Sequence, residues 1–165
     1  MFDVKNQKSK IRLQKSTVVL GLGNPLMGDE GIGVYLVEQL SHFAGEYPSV
    51  DFLDAGTGGL SVLHYIEGRR KVVIIDCAFM DEAPGAIRRF TPDEVRTRKV
   101  LAHQSLHEAD LMRIIEIARQ LGQAPQEIVI FGIQPQRIEL IQELSPTLMD
   151  KTDEYIALIR QELEE

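Results

Sequence analysis

The segment TVVLGLGNPLMGDEGIG, residues 17–33, changes character twice along its length. Thr17, Val18, Val19 and Leu20 form a β-branched and aliphatic run without polar alternation, which predicts a strand buried on both faces of a parallel sheet. From Ile32 the apolar residues Leu36, Val37, Leu40, Phe43 and Ala44 recur at helical spacing. The glycine-rich turn between them therefore belongs at the carboxyl end of a strand, where open α/β sheets place their ligands.

Gly21, Gly23, Gly28, Gly31 and Gly33 let a bound group approach the backbone, while Pro25 stiffens the loop. A GxG after a strand first suggests a dinucleotide fingerprint. Asp29 and Glu30 argue against it, because they set two negative charges where a pyrophosphate would meet the helix N-terminus. The later glycine spacing does not match either. Carboxylates at a strand end suit a cation or acid/base chemistry. The bland reading is that one of the two acids only caps the helix.

The rest of the chain repeats this design. Residues 50–53 read as a second strand ending at Asp54, before the loop AGTGG at 55–59. A short helix follows, with Leu60, Leu63, His64 and Ile66 on one face and Gly68 at its end. Residues 71–75 are the purest apolar run and lead to Asp76. Pro84 and Gly85 mark a turn into residues 86–90, an edge or hairpin strand carrying Arg88 and Arg89. Residues 91–102 read as a polar, mobile connection, a candidate lid or partner-docking loop. Ser105 is a candidate N-cap for a helix with the stripe Leu111, Ile114, Ile115, Ala118 and Leu121, stopped by Gly122. Residues 128–133 form another buried strand, followed by Gln134 and Pro135. Ser145 and Pro146 open a last helix with Leu148, Tyr155, Ile156 and Ile159 inward. Glu162, Glu164 and Glu165 extend past the core and add little. The alternation predicts a three-layer α/β/α sandwich: a mostly parallel sheet of about five strands plus a small hairpin.

With 165 residues, 44% of them hydrophobic, one domain over 17–165 suffices, preceded by a basic polar arm over 1–16 that carries Lys5, Lys8, Lys10, Arg12 and Lys15. A net charge of −7 excludes a general nucleic-acid binder. No apolar stretch is long enough for a signal peptide or a membrane span. Cys77 is the single cysteine, which rules out a disulfide framework and makes a reducing cytoplasm the expected location.

Three strands thus deliver Glu30, Asp54 and Asp76 to one edge of a parallel sheet, where acids repel one another and call for a cation or a shared proton. Histidine complements such a cluster. His42 reads as surface and His64 as packing, while His103 and His107 in AHQSLHEADL lie near the same edge; spacing alone does not choose between these two. Two carboxylates and an imidazole suit nickel, zinc, iron or copper better than magnesium. Read singly, Asp54 and Asp76 could each be no more than helix caps.

GLGNPLMGDEGIG resembles the signature of the nickel-iron hydrogenase maturation endopeptidases, and DAGTGG at 54–59, VVIIDCA with Asp76, SLHEADL with His107 and GIQP at 132–135 follow in the family's order. The resemblance covers residue 17 to about residue 155. It implies removal of a C-terminal extension from the hydrogenase large-subunit precursor, with Glu30, Asp76 and His107 contacting nickel carried by that substrate. His103 is the fallback for His107, and Asp54 matches a family position of open role. No tightly bound cofactor of the enzyme's own is expected, and a monomer suffices. The chain has no HExxH or GxSxG, and Cys77 has no evident base. An aspartic-type mechanism follows, in which Glu30, Asp76 or Asp54 acts as base toward water and nickel or a neighbouring acid polarises the carbonyl. Two other readings are a non-catalytic acidic-pocket module that recognises a metal-bearing partner, and an aspartate-phosphorylated signalling domain. Against the second, Gln134 and Pro135 stand where a lysine should follow the last strand.

Overall fold

The computed structural model describes residues 14–97 and 106–165. Strand β1 (Thr17–Gly21) lies between β2 (Val50–Asp54) and β3 (Lys71–Cys77), and β3 pairs onward with β5 (Glu127–Ile133), all parallel. Strand β4 (Ile87–Phe90) runs antiparallel along β5 and ends the row, giving the order β2-β1-β3-β5-β4. The helices are α1 (Ile32–Ser41), α2 (Ser61–Ile66), α3 (Pro92–Thr97), α4 (Leu106–Gln120), α5 (Pro146–Asp150) and α6 (Thr152–Glu164).

The unbroken apolar runs are buried on both faces, as parallel strands between helical layers must be. Val19, Val73 and Ile75 pack with Ile32, Leu36 and Leu40 of α1 and with Tyr155 and Ile159 of α6. Val18, Leu20, Val72 and Ile74 pack on the other face with Val62 and Ile66 of α2 and with Leu111 and Ile115 of α4. Each such side chain contributes about 1.5–3 kcal/mol by leaving water. The result is the expected three-layer sandwich.

Several local expectations are corrected. Of the two readings for residues 86–90, the edge strand holds and the hairpin does not, because β5 inserts between β3 and β4. Part of the expected mobile connection is helix α3, whose Val95 packs on the core; residues 98–105, with His103 and Ser105, lie outside the described residues. The last helix is two, broken at Lys151. Helix α1 stops at Ser41, before Phe43 and Ala44. Leu60 and Leu121, assigned inward by spacing, are 73% and 59% exposed. Both sit just outside a helix end, where the helical period no longer applies.

The C-terminal acids do more than extend the chain. Glu162 is buried, and its carboxylate accepts from Arg89 Nε at 2.7 Å and Nη2 at 3.0 Å while pairing with Lys71 Nζ at 2.9 Å. Lys71 is itself buried at the start of β3 and also donates to the Glu162 carbonyl. Tyr155 locks the same helix by donating to the Gly85 carbonyl at 2.7 Å, and burial pushes its phenol up to about 12. The Arg89 hydrogen bond and the Lys71 ammonium hold the Glu162 carboxyl below its ordinary value. Its stabilising contribution is therefore complete above the unfolded glutamate range, near pH 4.3, and is lost as pH falls through the lowered folded value. Glu162→Gln leaves the buried Lys71 cation with only the half-exposed Glu127 carboxylate, 3.4 Å away, as counter-charge and is expected to cost about 1–3 kcal/mol. Urea unfolding at pH 7 and pH 3.5 checks both points: the variant's deficit should be large at the first pH and should shrink at the second.

Candidate functional site at the carboxyl edge of the sheet

Strand β1 connects to β2 through α1 on one face of the sheet, whereas α4, which leads into β5, packs on the opposite face. The direction of strand addition therefore reverses between β1 and β3. In doubly wound sheets the crevice outside the carboxyl ends at such a point receives the ligand. Here the loop that follows β1 carries Glu30, and β3 ends with Asp76 and Cys77.

Glu30 lies in a 3-10 turn, Gly28–Gly31, which precedes α1. Two glycines seat that turn. A Cβ at Gly23, whose φ is +136°, would fall 1.9 Å from the Glu30 carbonyl oxygen. One at Gly33 would fall 2.2 Å from the Ile75 oxygen and 2.3 Å from the Leu22 oxygen, so the start of α1 rests directly on the end of β3. Every obstructing atom at Gly33 belongs to backbone and cannot rotate away. Gly33→Ala is therefore expected to cost about 3 kcal/mol or more, the upper range for an overpacked core, measured as a lowered urea midpoint.

Asp76 is opposite Gly132 of β5 and is 5% exposed. By strand alternation it shares the face of Val72 and Ile74, the face covered by α2 and α4. The loop beyond it is held by Gln134, whose Oε1 accepts from Met80 N at 2.6 Å and Glu82 N at 3.4 Å. Asp54 ends β2; it is exposed, and its Oδ1 accepts from Gly56 N at 2.7 Å. The Gly56 carbonyl in turn accepts from Gly23 N at 2.7 Å, which joins the loops after β2 and β1. Helix α4 lays Leu111, Ile114, Ile115 and Ala118 on the sheet and ends where the chain turns into β5, so it runs against the strands and begins at their carboxyl ends. That placement puts His107, in its first turn, at the crevice; the His107 side chain lies outside the described residues. Among the described residues no three His, Cys, Asp or Glu side chains are grouped to hold a metal ion. Glu30, Asp54 and Asp76 thus share an edge without forming a three-carboxylate cage. His64 is not packing, since its side chain is 81% exposed beside Glu67; His42 is on the surface, as expected.

Asp29 has a different role from its neighbour. It is fully buried, and its carboxylate accepts four hydrogen bonds: from Gln136 N, Arg137 N and Ser145 Oγ on Oδ2, and from Ser145 N on Oδ1. It therefore does not cap its own helix. It fastens the loop after β5 to the turn that bears Glu30. Ser145, at the N-cap position of α5, likewise spends its hydroxyl on Asp29.

Comparison with known proteins agrees with this layout. The family model described as hydrogenase maturation protease matches residues 34–162. The hydrogenase expression/formation proteins HoxM of Cupriavidus necator and HupD of Bradyrhizobium diazoefficiens are 32% and 34% identical over 122 residues, 74% of this chain. The chain spans 60% and 64% of the length of those two relatives. Among solved structures, the hydrogenase maturating endopeptidase HybD from E. coli superposes with a TM-score of 0.78 at 28% identity, covering 90% of this chain and 91% of that one. A hydrogenase 2 maturation peptidase from a Thaumarchaeota archaeon gives 0.69 at 29% identity, covering 91% and 99%. With a family model matched over most of its length, this chain belongs to the hydrogenase maturation protease family.

Proposed function

We propose that the chain is the endopeptidase that removes the C-terminal extension from a nickel-loaded precursor of the nickel-iron hydrogenase large subunit. What supports this most strongly is that, in a member of this family, the Glu30 turn, the Asp76 end of β3 and the first turn of α4 with His107 all lie on the carboxyl side of the sheet. Nickel belongs to the substrate in this reading. Glu30 and Asp76 supply carboxylate oxygens and His107 an imidazole nitrogen, a donor set suited to a late first-row divalent ion. Binding the ion at the crevice brings the bond to be cut beside the same carboxylates.

Hydrolysis then needs a base for water and a polarised carbonyl. In the aspartic-type mechanism proposed here, Glu30, Asp76 or Asp54 takes the water proton, and the substrate's nickel or a neighbouring acid withdraws charge from the carbonyl oxygen. The chain acts as a monomer in the cytoplasm and holds no cofactor of its own; no helix of the described residues is long and apolar enough to cross a membrane. Mixing the full chain with nickel-loaded and nickel-free precursor and weighing the products tests this reading. Truncation of the loaded form alone is expected. Binding without any loss of mass would instead make the chain a recognition module.

A further inference from the structure

The large apolar side chains left exposed are unevenly distributed. Of the eight exposed among the described residues, five, Leu26, Leu60, Phe79, Ile138 and Leu140, exposed by 36–84%, lie on loops that leave the carboxyl ends of strands, the edge that holds Glu30 and Asp76, while Leu121, Met149 and Leu158 lie in or beside helices. Isolated exposed leucines are ordinary; a concentration on one edge marks a surface that meets something.

Leu26 and Leu140 form the best-defined part. Met27 and Ile141 make a parallel β-bridge, with Gly28 N donating to the Ile141 carbonyl at 2.7 Å, so the two turns that carry Leu26 and Leu140, each one residue before the bridge, adjoin. Their exposures are 49% and 84%. Both loops are fixed from beneath by the buried Asp29 clamp and by Asp29 N donating to the Arg137 carbonyl. A preformed apolar spot of this kind loses little entropy when it is covered. Leu26 is four residues from Glu30, which bounds their Cα separation at about 14 Å, the reach of a fully extended chain. The surrounding charge is acidic: Glu30, Glu139 and Glu143 lie on these loops and Asp54 starts the neighbouring loop after β2, Arg137 is engaged by Glu139 at 3.1 Å, and the whole chain carries −7.

We infer that the Leu26–Leu140 pair, flanked by Ile138, is the docking platform for the precursor segment next to the cut bond. The occupant is an extended stretch lying within about four residues of that bond, with apolar side chains against the leucines and Lys or Arg, not Asp or Glu, beside them. The inference rests on the proposed endopeptidase activity and adds to it the residues that select the segment.

The test compares the full-length wild type, a Leu26→Asn/Leu140→Asn double variant and Leu121→Asn, an exposed leucine at the opposite edge, with nickel-loaded precursor as the probe. Equilibrium binding and cleavage kinetics are measured together. The double variant should bind at least tenfold more weakly and raise KM by the same factor, with kcat within twofold of wild type, while Leu121→Asn leaves all three unchanged. If wild type cleaves and the double variant matches it in binding and KM, the platform is wrong and the activity stands. If wild type neither binds nor cuts the precursor, both readings fall. A concentration-dependent dimer in sedimentation that is lost in the double variant would assign the patch to a second copy of the chain and overturn the inference.

Discussion

Glu30→Gln, Asp76→Asn and His107→Ala are each expected to lower cleavage of the nickel-loaded precursor by at least about a hundredfold, the scale on which positioned acid/base groups contribute. Each substitution keeps the backbone and nearly the volume, except at His107, where the ring is removed from the first turn of α4. The two amides still form hydrogen bonds but bring no charge to a cation. Far-ultraviolet circular dichroism and a melting curve should show the fold retained, which separates lost chemistry from lost structure. Normal processing by all three variants would refute the site. Asp54→Asn serves as a fourth measurement, since its side chain already shapes the loop through Gly56 N.

Asp29→Ala is expected to be the most damaging carboxylate substitution for stability, although Asp29 is only one residue from Glu30. It strips four donors of their acceptor, the Ser145 N–H and hydroxyl in the interior and the part-buried N–H groups of Gln136 and Arg137. Leaving buried donors unmet costs about 1–3 kcal/mol each when no water reaches them. Even with partial relaxation a loss of about 4 kcal/mol follows, or roughly 10 °C in Tm for a chain of this length. Asp29→Asn offers little rescue. Both carboxylate oxygens accept from backbone N–H groups, so either orientation of the amide turns its NH2 toward a donor. Differential scanning calorimetry of the three proteins decides the matter, and unchanged melting of Asp29→Ala would remove the clamp from the description.

The contrast between these adjacent acids shows what a linear reading can reach. That residues 17–33 hold a strand, a ligand-side turn and a helix is local information, carried by an unbroken apolar run, glycines and a helical period. Strands β3 and β5 were legible for the same reason. Which of Asp29 and Glu30 turns inward was not, because the answer lies in Ser145, 116 residues away. That residues 86–90 are an edge strand was one of two readings the charged Arg88 and Arg89 allowed; which strand it pairs with was hidden likewise, since β5 follows only after a long helical excursion. Glu162 was misjudged for a different reason. It was grouped with the other acids at the C-terminus, although Tyr155, Ile159 and Glu162 follow the i, i+4, i+7 spacing of one helix face, and Lys71 heads an apolar strand in need of a counter-charge. Those two signals together were sufficient to place it inside. For the candidate site, the shared edge of Glu30, Asp54 and Asp76 follows from the parallel sheet, while the choice of His107 rests on the family pattern and on α4 beginning at that edge.

The most direct test of the nickel-centred reading observes the ion itself. Nickel K-edge absorption of the loaded precursor is recorded alone, in complex with the wild-type chain and in complex with His107→Ala, at a temperature where cleavage is halted. The expected result is a nickel coordination shell that gains nitrogen and oxygen scatterers on binding wild type, and loses the imidazole multiple-scattering signature in the His107→Ala complex. Identical spectra from free precursor and from both complexes would show that the chain never touches the metal, and would contradict the assignment of Glu30, Asp76 and His107.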